Sequence, residues 1–427
     1  MTAKKSVFTA IAFMAITGLA LSGCGNAQAG SADESNQSVT IVSGQSAQNG
    51  DVLKQIFENY NKTATNGKID LQITADSDVD TAQKVLLNIK SGHGPDAVRV
   101  TNATYQTLVD SGAAQPVDSC LADNSNATSK INSDLLDELK IKGKLYQIPW
   151  YVTPNALFYN STLFSQAGLD PNNPPKTMTE FHDAALKISK LGVGGGVAYF
   201  GNDFNFQNLV RSLGGNVYDT STGKLGIDSQ QSKQVFQLYM DMAADKSAPI
   251  YTNFFTDANE AFASGKLGMM ITSASAYPAL KAKGKNDIKI APVPSMDGGS
   301  PITATSTNGF VITTKDPTRQ KLTCNALMSL ITPESVTTTV KATATIPLLP
   351  GIVNDDEYLA PVYKENPDWM AVAQQKSFSW ASLPGGANAE YTKDYVDTQT
   401  AVLNGSVSPE DATKQLQQKA DSLLQAK

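Results

Sequence analysis

The sequence predicts an α/β protein built as two lobes. Short β-branched strands alternate with amphipathic helices, the pattern of a mostly parallel sheet with helices on its faces. The folded part, about 390 residues, is long for a single hydrophobic core. The last third turns mainly helical and closes the fold. The first strand is Val39-Thr40-Ile41-Val42, a β-branched run. A polar loop over 43–50 leads into a helix over 51–60. Leu71-Gln72-Ile73-Thr74 is the second strand. Ala82, Val85, Leu86 and Ile89 recur at helical spacing, so an amphipathic helix follows. Residues 96–100 form the third strand and 156–159 another. Thr179 is expected to cap a helix running to about 191. The run GVGGG over 192–196 lacks the spacing of a dinucleotide fingerprint and reads as a turn. Residues 232–244 and 257–264 are helical; 268–272, 288–293 and 310–313 are strands. The closing helix, 409–424, carries Pro409 at its first position behind the capping Ser408.

Ahead of the folded part, Lys4 and Lys5 precede an apolar run from Val7 to Leu21. A charged start, a short apolar core and small residues at a cut site form an export signal, and the core falls short of the roughly 20 apolar residues of a permanent span. Leu21-Ser22-Gly23-Cys24 resembles a bacterial lipobox. That resemblance implies a signal peptide over 1–23, cleavage before Cys24, and lipidation of Cys24. Residues 24–38 are small and polar and read as a flexible tether. The expected location is the cell membrane, lipid-anchored on its extracellular side.

Bulk properties exclude several classes. There are 34 Lys+Arg against 40 Asp+Glu and no basic block, which argues against nucleic acid as a partner. His93 and His182 are the only histidines, and no Cys/His cluster has metal spacing. No cofactor motif emerges. Beyond Cys24 the chain has Cys120 and Cys324, an even pair in an exported protein, where disulfides persist. A bond across a long loop is expected; two separate buried thiols are the alternative.

Five segments in order resemble the family 1 extracellular solute-binding proteins, the maltose-binding-protein-like receptors of ABC importers. They are Ser91-Gly92-His93-Gly94-Pro95-Asp96-Ala97-Val98; the stretch GKLYQIPWYVTPNALFYNSTLFSQAGLDPNNPPKTMTEF over 143–181; Ala261 to Ile271 (AFASGKLGMMI); Ala291-Pro292-Val293-Pro294 with Asn308-Gly309-Phe310-Val311-Ile312; and Asn404-Gly405 with Ser408-Pro409-Glu410-Asp411-Ala412. Met178 stands where tryptophan is usual, and Tyr277 lies near another frequent tryptophan. The resemblance implies a type II periplasmic-binding-protein-like fold with three hinge crossings and a C-terminal helical region. The crossings are expected near 150–155, 291–295 and 346–351, all containing proline. The N-terminal lobe then comprises 39–152 plus 296–347, and the C-terminal lobe 153–295 plus 348–427. Cys120 and Cys324 both fall in the first. The implied protein is a monomeric, non-enzymatic receptor that closes on a carbohydrate, an oligosaccharide above all, and delivers it to ABC permease subunits.

A carbohydrate site needs rings to cover CH faces and planar polar groups to meet hydroxyls. Strand ends and hinge loops supply such mixtures: Gln45 and Asn49 after the first strand, Asn102 after the third, and Trp150 with Tyr151 at the hinge. The segment Asn202-Asp203-Phe204-Asn205-Phe206-Gln207 interleaves rings with amides, and Asp203 and Phe204 are its candidate contacts. Ser273, Tyr277, Asn308 and Trp380 complete the set. Phe204 and Phe206 also read as core, Asp203 as a helix cap, and Trp369 as surface packing. A glycerol-phosphate-type receptor is the alternative within transport. Arginine is the natural phosphate clamp, and the chain has only Arg99, Arg211 and Arg319, which favours a neutral sugar. A secreted glycan hydrolase would need paired carboxylates; no nucleophile elbow or triad spacing appears.

Overall fold

Alternating β-branched and glycine-rich runs give eleven strands among the described residues. They are β1 (Val39–Ser43), β2 (Ile69–Ile73), β3 (Ala97–Val100), β4 (Ile148–Asn160), β5 (Gly194–Val197), β6 (Tyr218–Asp219), β7 (Lys224–Leu225), β8 (Leu267–Ser273), β9 (Ile288–Ala291), β10 (Thr303–Ile312) and β11 (Ser377–Ser379). The computed structural model describes residues 38–44, 46–283 and 287–425, without the side chains of 46–49. The signal segment 1–23, Cys24, Gln45 and the side chain of Asn49 lie outside the described residues.

The main sheet runs β2-β1-β3-β10-β4-β8-β5, with β11 on β10 and β9 on β4. Pairing is parallel for β1 with β2 and β3, and for β5 with β8. It is antiparallel where β10 meets β3 and β4, and where β4 meets β8 and β9. All thirteen residues of β4 are buried. Its first part, from Ile148 to Pro154, pairs with β10, and its second part, from Asn155, pairs with β8. One continuous strand therefore leaves the first lobe and enters the second. β10 does the same in reverse, pairing β11 at Thr303 to Thr305 and β3 at Gly309 to Ile312. A bulge separates Asn308 from Gly309. Glycine is required there: a Cβ at 309 would lie 2.4 Å from the Ile148 carbonyl oxygen.

These strands make two crossings, and a third segment runs beside them, where the Ile346 amide donates to the Val152 carbonyl at 2.9 Å. The second expected crossing, near 291–295, is not among them. Residues 291–295 stay with the second lobe: Ser295 bridges Thr177, and Met296 and Ser300 donate to Ser212. The crossing is inside β10, where one edge passes from β11 at Thr305 to β3 at Gly309 while β4 stays paired along the other.

Several local readings also shift. The first helix, Ser46–Thr63, begins earlier than 51. The helix Met178–Ser189 is capped by Thr177 in a capping box with Glu180; Thr179 instead donates to Asp297 at 2.8 Å. The run read as a turn overlaps β5 from Gly194 onward. A Cβ at Gly195 would fall 2.1 Å from the Ala185 carbonyl oxygen, so helix Met178–Ser189 can lie against this strand only because it is glycine. The closing helix Pro409–Gln425 starts as read, with the Asp411 amide donating to Ser408 Oγ at 3.1 Å.

Cys120 and Cys324 are joined by a disulfide between helices Asp118–Asp123 and Pro317–Met328. Asp96 accepts from the Thr40 amide and from Arg319, tying strand ends to that second helix. No helix among the described residues is long and apolar enough to cross a membrane.

Candidate functional site: the seam between the lobes

In sheets of this kind ligands bind beyond the carboxyl ends of the parallel strands. Here the ends of β3 and β8 face a seam crossed by the segment 379–391. Asn102 opens the helix Asn102–Asp110 directly after β3. Its Nδ2 donates to the Trp380 carbonyl at 2.8 Å, and its Oδ1 accepts from the Thr307 amide at 2.9 Å. The Asn388 side chain donates to the Ala103 carbonyl at 3.3 Å. Trp380 turns its ring the other way. Its Nε1 donates to Asp203 Oδ1 at 3.0 Å, and its ring meets Phe204 edge-on, 5.5 Å between centroids. Trp380 thus links Asn102 on one side of the seam to Asp203 on the other.

Asp203 precedes helix Phe204–Ser212, yet its side chain makes no capping bond. It accepts instead from Gln207 Nε2 at 2.7 Å and from Trp380. Gln207 also donates to the Ala381 carbonyl at 2.8 Å, holding the crossing segment on the helix. The Tyr391 hydroxyl lies against the same carboxylate without a well-aligned hydrogen bond. Burial pushes the Asp203 carboxyl up to about 6, and the hydrogen bonds from Gln207 and Trp380 pull only partly against it.

A second cluster joins Tyr151 and Asn308 through Arg99. Its Nη2 donates to Asn308 Oδ1 at 2.6 Å and to Tyr151 Oη at 3.3 Å, while Nη1 pairs with Asp78 at 2.7 Å. Burial raises the Asp78 carboxyl, and Arg99 draws it back in part. Ser273 forms a third group, sharing hydrogen bonds of 2.8 Å with Thr153 and Ser275.

Two candidates lie elsewhere. Trp150 is 1% exposed, packs on Phe310 at 6.1 Å, and donates Nε1 to Thr339 at 3.1 Å. It is a core residue of the first lobe. Tyr277 stacks edge-on against Trp369 at 5.1 Å with Lys281 over its ring. Trp369 is therefore buried, not surface packing. Phe206 belongs to the core, 4.6 Å from Phe236. Two cavities of about 520 and 500 Å³ also lie away from the seam, one beside Asp257 and Lys266, one along the disulfide. Among the described residues no three His, Cys, Asp or Glu side chains are grouped as for a metal ion.

Residues 55–371 match the profile of the bacterial extracellular solute-binding proteins. The chain belongs to that family. A binding protein of Brucella abortus (strain 2308) is 27% identical to this solute-binding protein over 214 residues, 48% of this chain and 50% of the relative. The chain thus spans about half the length of these curated relatives, of which it matches several. A cyclic alpha-maltosyl-1,6-maltose binding protein from Arthrobacter globiformis superposes with a TM-score of 0.77 at 20% identity, over 92% of this chain and all of that one. UgpB from Mycobacterium tuberculosis, solved with glycerophosphocholine, gives 0.80 at 16% identity over 92% and 99%. At these identities the superpositions establish the fold alone, two α/β lobes.

The sequence reading missed Asp78, Arg99 and Tyr391. Arg99 had a signal, a lone charge inside the buried strand AVRV, which demands a buried partner. Tyr391 had none; its helix carries two tyrosines and only the packing selects this one.

Proposed function

We propose that this solute-binding protein is the receptor of an ABC-type importer. It captures a carbohydrate of oligosaccharide size in the seam and delivers it, chemically unaltered, to permease subunits. The observation that carries this reading is Trp380, bonded through its carbonyl to Asn102 and through its indole to Asp203. Rings and amides of opposite lobes meet there, the mixture that covers sugar faces and pairs hydroxyls. Solute bound at the seam contacts both lobes only when they are closed, so binding shifts the balance toward closure. A hydroxyl left unmatched in the closed seam costs about 1–3 kcal/mol, which gives selectivity.

The lobes we assign are 39–152 with 308–347, and 153–307 with 348–425. Asn102, Asp203, Phe204 and Trp380 are the inner contacts, with Gln207 and Tyr391 added. Tyr151, Asn308 and Ser273 line the floor near the crossings. Trp150 and Tyr277 leave the ligand set. The lipobox-like run ending at Cys24 supports an anchor on the outer face of the membrane, where a tether raises the receptor's effective concentration at its permease.

A glycerol-phosphate ligand is the second reading, supported by the UgpB superposition. The arginines weigh against it. Arg99 is neutralised by Asp78, Arg319 by Asp96, and Arg211 lies over the Phe378 ring at 5.1 Å. A thermal-shift screen of the protein against mono- and oligosaccharides and glycerol phosphates separates the readings. A concentration-dependent rise in melting temperature with saccharides supports the first; a rise with glycerol phosphates alone overturns it.

A further inference from the structure

Asp203 is a buried carboxylate without a counter-charge. It is 3% exposed, and no described ion pair includes it. The polar groups that interact with it are neutral: Gln207 on its own helix, Trp380 on the crossing segment, Tyr391 and Tyr395 on helix Ala387–Leu403, and Tyr239 on helix Gln230–Ala244. The Tyr391 hydroxyl is held protonated, well above its ordinary range, by burial and by the carboxylate itself. The other buried carboxylates, Asp78 and Asp96, each face an arginine. A buried charge served only by neutral donors is costly, and such groups collect where a site needs them.

The walls match the charge. Phe204 and Trp380 meet edge to face beside the carboxylate, and Tyr391 closes the helix side. Aromatic faces attract cations through the ring quadrupole, and a carboxylate has acceptor sites beyond the two that Gln207 and Trp380 fill.

We infer that Asp203 makes the seam a subsite for a solute bearing an ammonium group among its hydroxyls, with the carboxylate as counter-charge and Phe204, Trp380 and Tyr391 as walls. The inference rests on the receptor reading above and narrows its ligand class. Two sources offer this chemistry, an amino sugar or a choline headgroup. The carbohydrate reading favours the first.

Calorimetry on the purified protein with matched solutes tests it: glucosamine oligosaccharides against cello-oligosaccharides, and glycerophosphocholine against glycerol 3-phosphate. At about pH 7 the ammonium member of at least one pair binds about tenfold tighter, the difference expected of one charge-assisted contact, a hydrogen bond for the amino sugar or an ion pair with cation–π contact for the choline headgroup. In Asp203→Asn that preference falls to within about twofold, whatever the variant does to either affinity alone. In the native protein it shrinks toward about pH 5, as the carboxylate takes up a proton, and this arm decides the matter if the variant fails to fold. Equal or tighter binding of both uncharged or anionic partners overturns the inference and leaves the receptor reading standing. A preference that survives Asp203→Asn overturns it too. Binding of glycerophosphocholine alone upholds the ammonium subsite and overturns the carbohydrate reading. Binding of nothing overturns both.

Discussion

Replacing Asp203 by asparagine should make stability less sensitive to pH. The carboxyl is raised from 3.8 to about 6 in the fold, so the folded state holds the proton more tightly than the unfolded chain. Below about pH 4 both states are protonated and the group is neutral in effect. As pH rises through about 6 the fold must ionise a buried acid, and stability is lost. A shift of about two units corresponds to about 3 kcal/mol. Asparagine never ionises. It gives up one acceptor, the oxygen that takes Gln207 Nε2 at 2.7 Å, at about 1 kcal/mol. The variant should thus be about 1 kcal/mol less stable than the native protein near pH 4 and about 2 kcal/mol more stable near pH 7.5. Urea unfolding followed by tryptophan fluorescence at both values reads this directly, since all other titrations cancel in the difference. A difference that stays flat between the two would show that the carboxylate is not destabilised by burial, and the subsite reasoning would lose its physical basis.

Three further perturbations separate structural from seam residues. Trp150→Ala should cost about 3–5 kcal/mol of unfolding free energy by opening a core cavity against Phe310 and removing the bond to Thr339; an unchanged denaturation midpoint would return Trp150 to the seam. Arg99→Met should cost about 3–5 kcal/mol because Asp78 is left buried and unpaired, and Arg99→Met with Asp78→Leu should recover most of it; no recovery in the double variant would refute the pairing. Asn102→Ala removes the bonds to Trp380, Ser379 and Thr307, so the ligand-free protein should scatter X-rays with a larger radius of gyration. An unchanged radius would mean that these bonds do not hold the lobes together.

Most of the strand and helix order is legible in the sequence because β1, β2, β3, β8 and β9 are short β-branched or apolar runs. The long strands are legible only toward their ends, 156–159 in β4 and 310–312 in β10. β4 contains Pro149 and Pro154, which break the usual strand signal, and β10 opens with TATSTNG, polar residues buried by tertiary pairing. Helix Phe204–Ser212 escapes periodicity because seven consecutive residues from Phe204 to Val210 are buried. Its amides are spent on backbone: Asn205 donates to the Ile271 carbonyl, and Asn208 accepts from the Ala304 amide. The candidate site was legible as residue types at strand ends. What sequence could not supply was partnership. Trp150 and Trp380 look alike in the chain, each beside small polar or proline residues, yet one finds Thr339 in a core and the other finds Asp203 at the seam.

Calorimetric titration of the purified protein with a saccharide panel, with the solute recovered and analysed afterwards, tests the central claim most directly. Saturable binding of at least one saccharide, returned intact, is the result this account predicts. Cleaved saccharide, or no heat from any member of the panel, would contradict it.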